Sequence, residues 1–378
     1  MSTNTRWMAR RTASRRMQAA LVLTGGAIAL AAMPAAAQAG TTARIQGSSS
    51  AAAAAISEVP TPGVEALNIA AGPDGSVWYT AVGPNSLAEV GEIPAGGAPV
   101  YFSDGIFQAG QDGEDGDLGP IALGPDDNLW FTQSAEPSSA GAGVVYRISS
   151  GVGNSGDGPA GAVKYERADG ILPNVGGITG GPGGRVYFTE TSAAIDPPAG
   201  APEEVGSMGV HGGVTAGIPG APSLPGAIAE DREGNLWFLE PGSEEIARMT
   251  PAGVVTQVPV DVAGLRDITV GPDGNLWFTS ASAIGRISPS GTGLQLFPVP
   301  VVPDQITAGP DGNLWFTTSS TVTTGGRESG QLGMITTAGV PTMFTQGITG
   351  QGTFGIAATS TQVWFTEGAS DRLGVVSF

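Results

Sequence analysis

The chain of 378 residues contains no Cys and a single His, His211. Without Cys there are no disulfides and no thiol nucleophile, and one imidazole cannot supply the paired ligands of a His or Cys zinc site. A Ser-His-Asp triad would have to use His211. Only 13% of the residues are charged and 6% are aromatic. No apolar run reaches the roughly 20 residues that cross a bilayer as a helix. Basic residues are scarce as well: 16 Lys and Arg face 34 Asp and Glu, a net charge of −18.

Five of those basic residues, Arg6, Arg10, Arg11, Arg15 and Arg16, precede a short apolar stretch from Ala19 to Met33, and Ala37-Gln38-Ala39 offers small residues for cleavage before Gly40. That layout predicts a secretory segment over residues 1–39 and a protein outside the cell. Arg15-Arg16 after Ser14 is compatible with a twin-arginine signal. Residues 40–55, rich in Ala, Ser and Thr, read as a flexible linker. Export leaves 11 basic against 34 acidic residues, a net charge of −23. Such a surface repels nucleic acid and anionic lipid, and its plainest role is solubility.

What the chain has in plenty is Gly (61 residues) and Pro (29), and both recur with a period. The clearest copies are Ile268 to Thr279 (ITVGPDGNLWFT) and Ile306 to Thr317 (ITAGPDGNLWFT). Kin begin at Ile69, Ile121, Ile178, Ile228 and, shortened, at Ile356, making seven. Their marker aromatics, Trp78, Trp130, Tyr187, Trp237, Trp277, Trp315 and Trp364, lie 38 to 57 residues apart. That is the period of blade-type repeats rather than helical solenoids. Each copy parses into four short strands. An apolar strand such as Ile268 to Val270 meets a Pro-Asp-Gly-Asn turn, where Gly supplies positive φ. A second strand (Leu276 to Thr279), a third (Ala283 to Ser288) and a fourth (Leu294 to Pro298) follow.

Four strands this short cannot bury their faces alone, so the copies must stack radially. The expected fold is all-β: a seven-bladed β-propeller of four-stranded antiparallel blades over residues 56–378, with the Trp ladder packed between blades. The last copy stops after its third strand, while Ile56 to Pro60 (ISEVP) is an orphan resembling a fourth. The N-terminal strand is therefore expected to close the ring and remove its open edges.

The antiparallel layout sorts polar residues between the two ends of the ring. The Pro-Asp-Gly-Asn turns and His211 fall at one end. At the other, a mouth gathers Asn68, Arg266, Asp267, Asp304 and Gln305, which precede innermost strands, and Gln133, Glu190, Glu240 and Glu367, which follow second strands. Glu190, Glu240, Arg266, Asp267, Asp304 and Gln305 are the candidate ligand contacts, Asp304 and Glu367 the candidate catalytic groups, and Glu367 the candidate metal ligand. Carboxylates converging on a mouth can hold a hard cation, so Mg²⁺ or Ca²⁺ is the expected ion. A second acidic cluster, Asp112, Glu114, Asp115 and Asp117, lacks the EF-hand order and reads as a solvated loop.

Gly271 to Pro289, with Gly-Pro-Asp-Gly-Asn-Leu-Trp-Phe-Thr followed by Ile-Gly-Arg-Ile-Ser-Pro, resembles the repeat of the virginiamycin B lyase (streptogramin lyase) family of seven-bladed propellers. The resemblance runs from about Ile56 to Phe378. It implies Mg²⁺-dependent elimination that opens the ester of a cyclic depsipeptide antibiotic. It further implies a His base just before the innermost strand of the last blade. A Glu two residues earlier and the Glu after Trp-Phe-Thr would hold the metal, and a His in the preceding blade would touch substrate. The matching places here are Phe354, Gly352, Glu367 and Asp304, so only Glu367 keeps the family residue. A Phe cannot accept a proton, and losing a general base typically costs about 10² to 10⁴ in rate.

Three functions follow as expectations: a lyase-like enzyme acting on a cyclic or ester-bearing small molecule at the mouth; a non-catalytic extracellular propeller binding a peptide, glycan or surface partner there; and a metal-dependent lactonase or esterase of the six-bladed gluconolactonase type, weakened by the count of seven blades. The chain is expected to be a monomer.

Overall fold

The computed structural model describes residues 55–378 apart from 85–86, 104–105, 107–117, 134–143, 150–162, 166–173, 192–203, 216–224, 319–321, 325–326, 351 and 368–369. The secretory segment, all but the last linker residue and the Asp112 cluster lie outside the described residues. The fold is all-β, with seven four-stranded antiparallel sheets arranged as the blades of a propeller. Blades 1 to 6 span residues 65–102, 118–165, 174–215, 228–259, 268–298 and 303–344. Blade 7 takes three strands from residues 353–377 and its outermost one from Ile56–Pro60, which pairs antiparallel from Ile56 opposite Val376 to Pro60 opposite Arg372. The N-terminal strand thus closes the ring. A small hairpin, Val322–Thr324 with Arg327–Ser329, is inserted between the second and third strands of blade 6 and has no signature in the repeat.

Strand alternation assigns the second strand's two faces to two neighbours. In Leu-Trp-Phe-Thr the Trp faces the following blade. Trp237 packs with Ile268, Leu276 and Phe278 of blade 5, Trp277 with Ile306, Leu314 and Phe316 of blade 6, and Trp315 with Ile356, Val363 and Phe365 of blade 7. Five of the Trp are 1% exposed or less. Burying such a ring is worth about 4 to 6 kcal/mol, so this ladder is the main adhesive between blades.

The turn motif serves the same ladder. The Trp277 indole N–H donates to Asp273 Oδ1 at 2.9 Å, and the equivalent bonds join Trp130 to Asp126, Trp237 to Asp231 and Trp315 to Asp311. These hydrogen bonds hold the Asp126, Asp231 and Asp273 carboxyls below their usual range against the opposing effect of burial. The turn Asp thus caps the Trp in blades 2, 5 and 6, Asp231 does so from just before the turn in blade 4, and in blade 1 the Trp78 indole donates to Ser76. The Gly of Ile-Gly-Arg-Ile has a separate reason: a Cβ on Gly285 would lie 2.1 Å from the Phe278 ring, which rests on that backbone.

The Thr of Trp-Phe-Thr joins blades. Thr317 Oγ1 accepts the Gln305 N–H of its own innermost strand at 3.1 Å and donates to the Phe354 carbonyl of blade 7 at 2.8 Å. Thr366 repeats this between blades 7 and 1, and Thr189 between blades 3 and 4. At the level of this hydroxyl the innermost strand is irregular in five blades. Such irregularities separate Ala66 from Ile69, Leu118 from Ile121, Val175 from Ile178, Pro303 from Ile306, and Thr353 from Ile356.

Candidate functional site at the axial mouth

The slipped residues form the mouth. A β-bulge re-aims side chains that a regular strand would alternate between faces. The bulge pairs are Leu67-Asn68, Gly119-Pro120, Gly176-Gly177, Asp304-Gln305 and Phe354-Gly355. Gly226-Ala227 and Arg266-Asp267 hold the same place in blades 4 and 5. Blades 2, 3 and 4 therefore offer almost bare backbone, while blades 5, 6, 7 and 1 carry Arg266, Asp267, Asp304, Gln305, Phe354 and Asn68. The mouth is one-sided: a chemically varied arc faces a floor of Gly, Pro and Ala.

Within the arc, Arg266 and Asp304 form an ion pair at 3.5 Å, both partly exposed. Asp267 lies deeper. Its Oδ1 accepts the Ile268 N–H at 2.9 Å, and its Oδ2 accepts the Ile306 N–H of blade 6 at 2.8 Å. Burial pushes its carboxyl up to about 7, with the Asp304 charge adding to the rise and the two N–H bonds opposing it. Gln305 does the same one blade on: its Oε1 accepts the Ile356 N–H of blade 7 at 3.3 Å, and its amide reaches Asn68 of blade 1, also at 3.3 Å. Asp267 and Gln305 therefore cap the free inner edges of the following strands, and with Asn68 they make a polar throat beneath the Arg266–Asp304 pair. The structure brings together Asn68, Arg266, Asp267, Asp304 and Gln305.

The glutamates after the second strands lie elsewhere. Glu190, Glu240 and Glu367 are each 0% exposed. They sit two residues beyond the Phe of Trp-Phe-Thr (for Glu190, of Tyr-Phe-Thr; for Glu240, of Trp-Phe-Leu), hence on the Phe face of the strand, between blades. Glu240 accepts from the Ser243 hydroxyl at 3.2 Å and from the Gln257 amide of its own outermost strand at 3.1 and 3.3 Å. Burial carries it up to about 7 against those two bonds, with Glu245 adding. Glu367 accepts the Gly350 N–H at 2.7 Å. Burial and then the nearby Glu58 push it up to about 7, while the Gly350 N–H and Arg372 act in the opposite sense. Glu58, on the closing strand, is itself bound to Arg372 at 2.8 Å and to the Thr349 N–H at 2.6 Å. Glu190, 0% exposed like the other two, lies beside Gly206 of its own third strand. The expectation that these acids point toward the axis gives way to a position inside the blade interfaces.

His211 is exposed in the turn between Glu204–Gly209 and Val214–Thr215, at the end opposite the mouth. Gln133 is buried and accepts from the Tyr146 hydroxyl at 2.9 Å.

A family model for the virginiamycin B lyase family matches residues 161–378. The chain belongs to that family. Among solved structures, it is similar to a catalytically inactive virginiamycin B lyase from Staphylococcus aureus with Quinupristin, at 23% identity over 86% of this chain and 99% of that one, TM-score 0.66. A streptogramin B lyase structure follows at 22% identity, covering 85% and 97%, TM-score 0.62. The extracellular domain of a hybrid two-component system from B. thetaiotaomicron is 13% identical, covering 85% of this chain and 42% of that one, TM-score 0.60. At these identities the likeness is one of fold. No curated protein matches the sequence.

The donor set for the divalent ion implied by the family resemblance does not fit. Glu367 is covered by the backbone at Gly350, Gly352 offers no carboxylate, and Gly352 has φ +83°, a left-handed conformation. Among the described residues no three acidic or His side chains gather around a common point.

Proposed function

We propose that this member of the virginiamycin B lyase family is an exported, monomeric propeller that binds a small cyclic or ester-bearing ligand at its mouth, without the proton-abstracting His of the elimination. The observation carrying this reading is the one-sided mouth. A bulky ring can lie on the bare bulges of blades 2 to 4 while Arg266, Asp304 and Gln305 meet its carbonyls and amides and Phe354 offers an apolar face. The chain's only His stands at the other end of the ring, and the base position is Phe354. Export rests on the secretory layout of residues 1–39; several propellers of this fold are extracellular domains, and no described helix is long and apolar enough to cross a membrane.

The test is titration calorimetry with a streptogramin B-type cyclic depsipeptide. Wild-type protein is expected to bind, and Arg266→Ala with Asp304→Ala to weaken binding about tenfold or more, the scale of losing charge-assisted hydrogen bonds. Equal affinity in the double variant would remove the mouth from consideration.

A second reading, catalysis by a carboxyl in place of the His, draws on Asp267. Held near 7 at the throat, it can exchange a proton at neutral pH. It predicts ring opening that disappears in Asp267→Asn while binding persists.

A further inference from the structure

The ring axis carries another feature below the throat. A cavity of about 490 Å³ is lined by innermost strands of all seven blades, within the size range of small-molecule sites. Ile121, Ile228 and Ile268 line it together with the Thr179, Thr269 and Thr307 hydroxyls and strand backbone, and most of its surface is polar. Among the described residues, Glu230 is its only charged lining group. In the other six blades the same column holds Ala71, Leu123, Gly180, Val270, Ala308 and Ala358, so the repeat itself does not call for an acid here.

Glu230 also differs from the acids around it. Asp231 next door is committed to the turn, accepting from the Asn235 and Glu233 backbones, the Asn235 amide and the Trp237 indole. Glu230 makes no hydrogen bond or ion pair among the described residues. The groups that face it are the Asp231 carboxyl and the Tyr187 phenol of blade 3. Among the described residues no cation pairs with it: Arg185 of blade 3 is bound to Ser207, Gly213 and Thr215. Glu230 is exposed at the end of its strand, and partial burial and the Asp231 charge both raise its pKa.

We propose that this cavity is a second binding site, separate from the mouth, for an organic monocation: a primary ammonium on an aliphatic stem. An ammonium has three donors and no acceptor, and one carboxylate with neighbouring Thr hydroxyls can accept all three. The Ile121, Ile228 and Ile268 side chains in the lining can meet the stem. A divalent metal would call for six or more oxygen ligands in a tight shell, which one Glu in a wide cavity does not supply. The acidic surface of the chain raises the local concentration of cations.

The experiment is saturation-transfer NMR and calorimetry on the intact protein with n-hexylammonium, using 1-hexanol as its neutral counterpart of equal length. Wild type is expected to bind the ammonium at least about tenfold more tightly than the alcohol. Glu230→Gln should erase that preference, and Glu233→Gln, an exposed acid in the same turn, should keep it. Binding should weaken as pH falls and Glu230 takes up a proton. Absence of saturable ammonium binding to wild type, equal affinity for the alcohol, or full affinity in Glu230→Gln would each overturn the proposal. The amine-to-alcohol ratio on wild-type protein decides the matter even if the variant folds poorly. A depsipeptide that binds while hexylammonium does not would sink this site and leave the mouth untouched.

Discussion

Replacing Thr317 by Val keeps the side chain's shape and removes its hydroxyl, leaving the Gln305 N–H and the Phe354 carbonyl without the partner they share at 3.1 and 2.8 Å. Thr317 is 0% exposed, so water cannot readily replace it. Each buried backbone group left unsatisfied costs about 1 to 3 kcal/mol. With partial relaxation of the bulge the total should be about 2 to 4 kcal/mol. Because both orphaned groups belong to mouth residues, ligand affinity should fall as well. Urea unfolding followed by Trp fluorescence measures the loss. Thr317→Ser, which keeps the hydroxyl and drops a methyl, should cost about 1 kcal/mol. In blade 4 Leu239 stands in the Thr position, and its backbone pairs with Gly226 and Ala227 at 2.8 and 3.0 Å, as that of Thr279 does with Arg266 and Asp267 in blade 5. A Thr317→Val protein within about 0.5 kcal/mol of wild type would refute the blade-joining role of this hydroxyl.

Removing Ile56–Pro60 should strip blade 7 of its outermost strand, lower the melting temperature and promote aggregation through the exposed edge of Arg372–Ser377; unchanged melting in a soluble monomer would rule out closure by this strand. Glu240 and Glu367 have folded-state pKa values near 7, above the ordinary 4.5, so the native state binds those protons more tightly. Their contribution is complete below the unfolded value and is lost as pH rises through 7. Thermal melts should accordingly drop between about pH 5 and pH 8, and Glu367→Gln should flatten that slope; a parallel curve for the variant would remove Glu367 as a source. Asp273→Ala should cost about 1 to 2 kcal/mol by stranding the Trp277 indole N–H, visible in the same urea titration, and a neutral result would contradict the Trp-cap reading of the turn.

Much of the fold was legible because the repeat encodes it redundantly. Trp and Gly recur at fixed offsets, and the orphan strand Ile56–Pro60 has only one vacancy to fill. The inserted hairpin at 322–329 was not legible, since it interrupts blade 6 at a place the repeat leaves free. The mouth was legible in part: antiparallel counting places Arg266, Asp267, Asp304 and Gln305 at one end, where they meet. The same counting, carried two residues further, would have moved the glutamates. Phe365 and Glu367 share a strand face by period-2 alternation, so an acid there follows the Phe into the blade interface rather than toward the axis. The bulges that aim Asp304 and Phe354 were hidden because they accompany hydroxyls on other strands, Thr317 for Gln305 and Thr366 for Gly355.

The most direct test of the central claim, a family scaffold whose mouth binds without the family's elimination, is prolonged incubation of the protein with a streptogramin B-type cyclic depsipeptide and Mg²⁺, followed by liquid chromatography and mass spectrometry. Elimination opens the ring without changing its mass and shifts its retention, whereas hydrolysis adds one water. The account predicts that retention and mass both stay unchanged while calorimetry registers binding. A Mg²⁺-dependent retention shift at constant mass, at many turnovers per protein molecule, would contradict it.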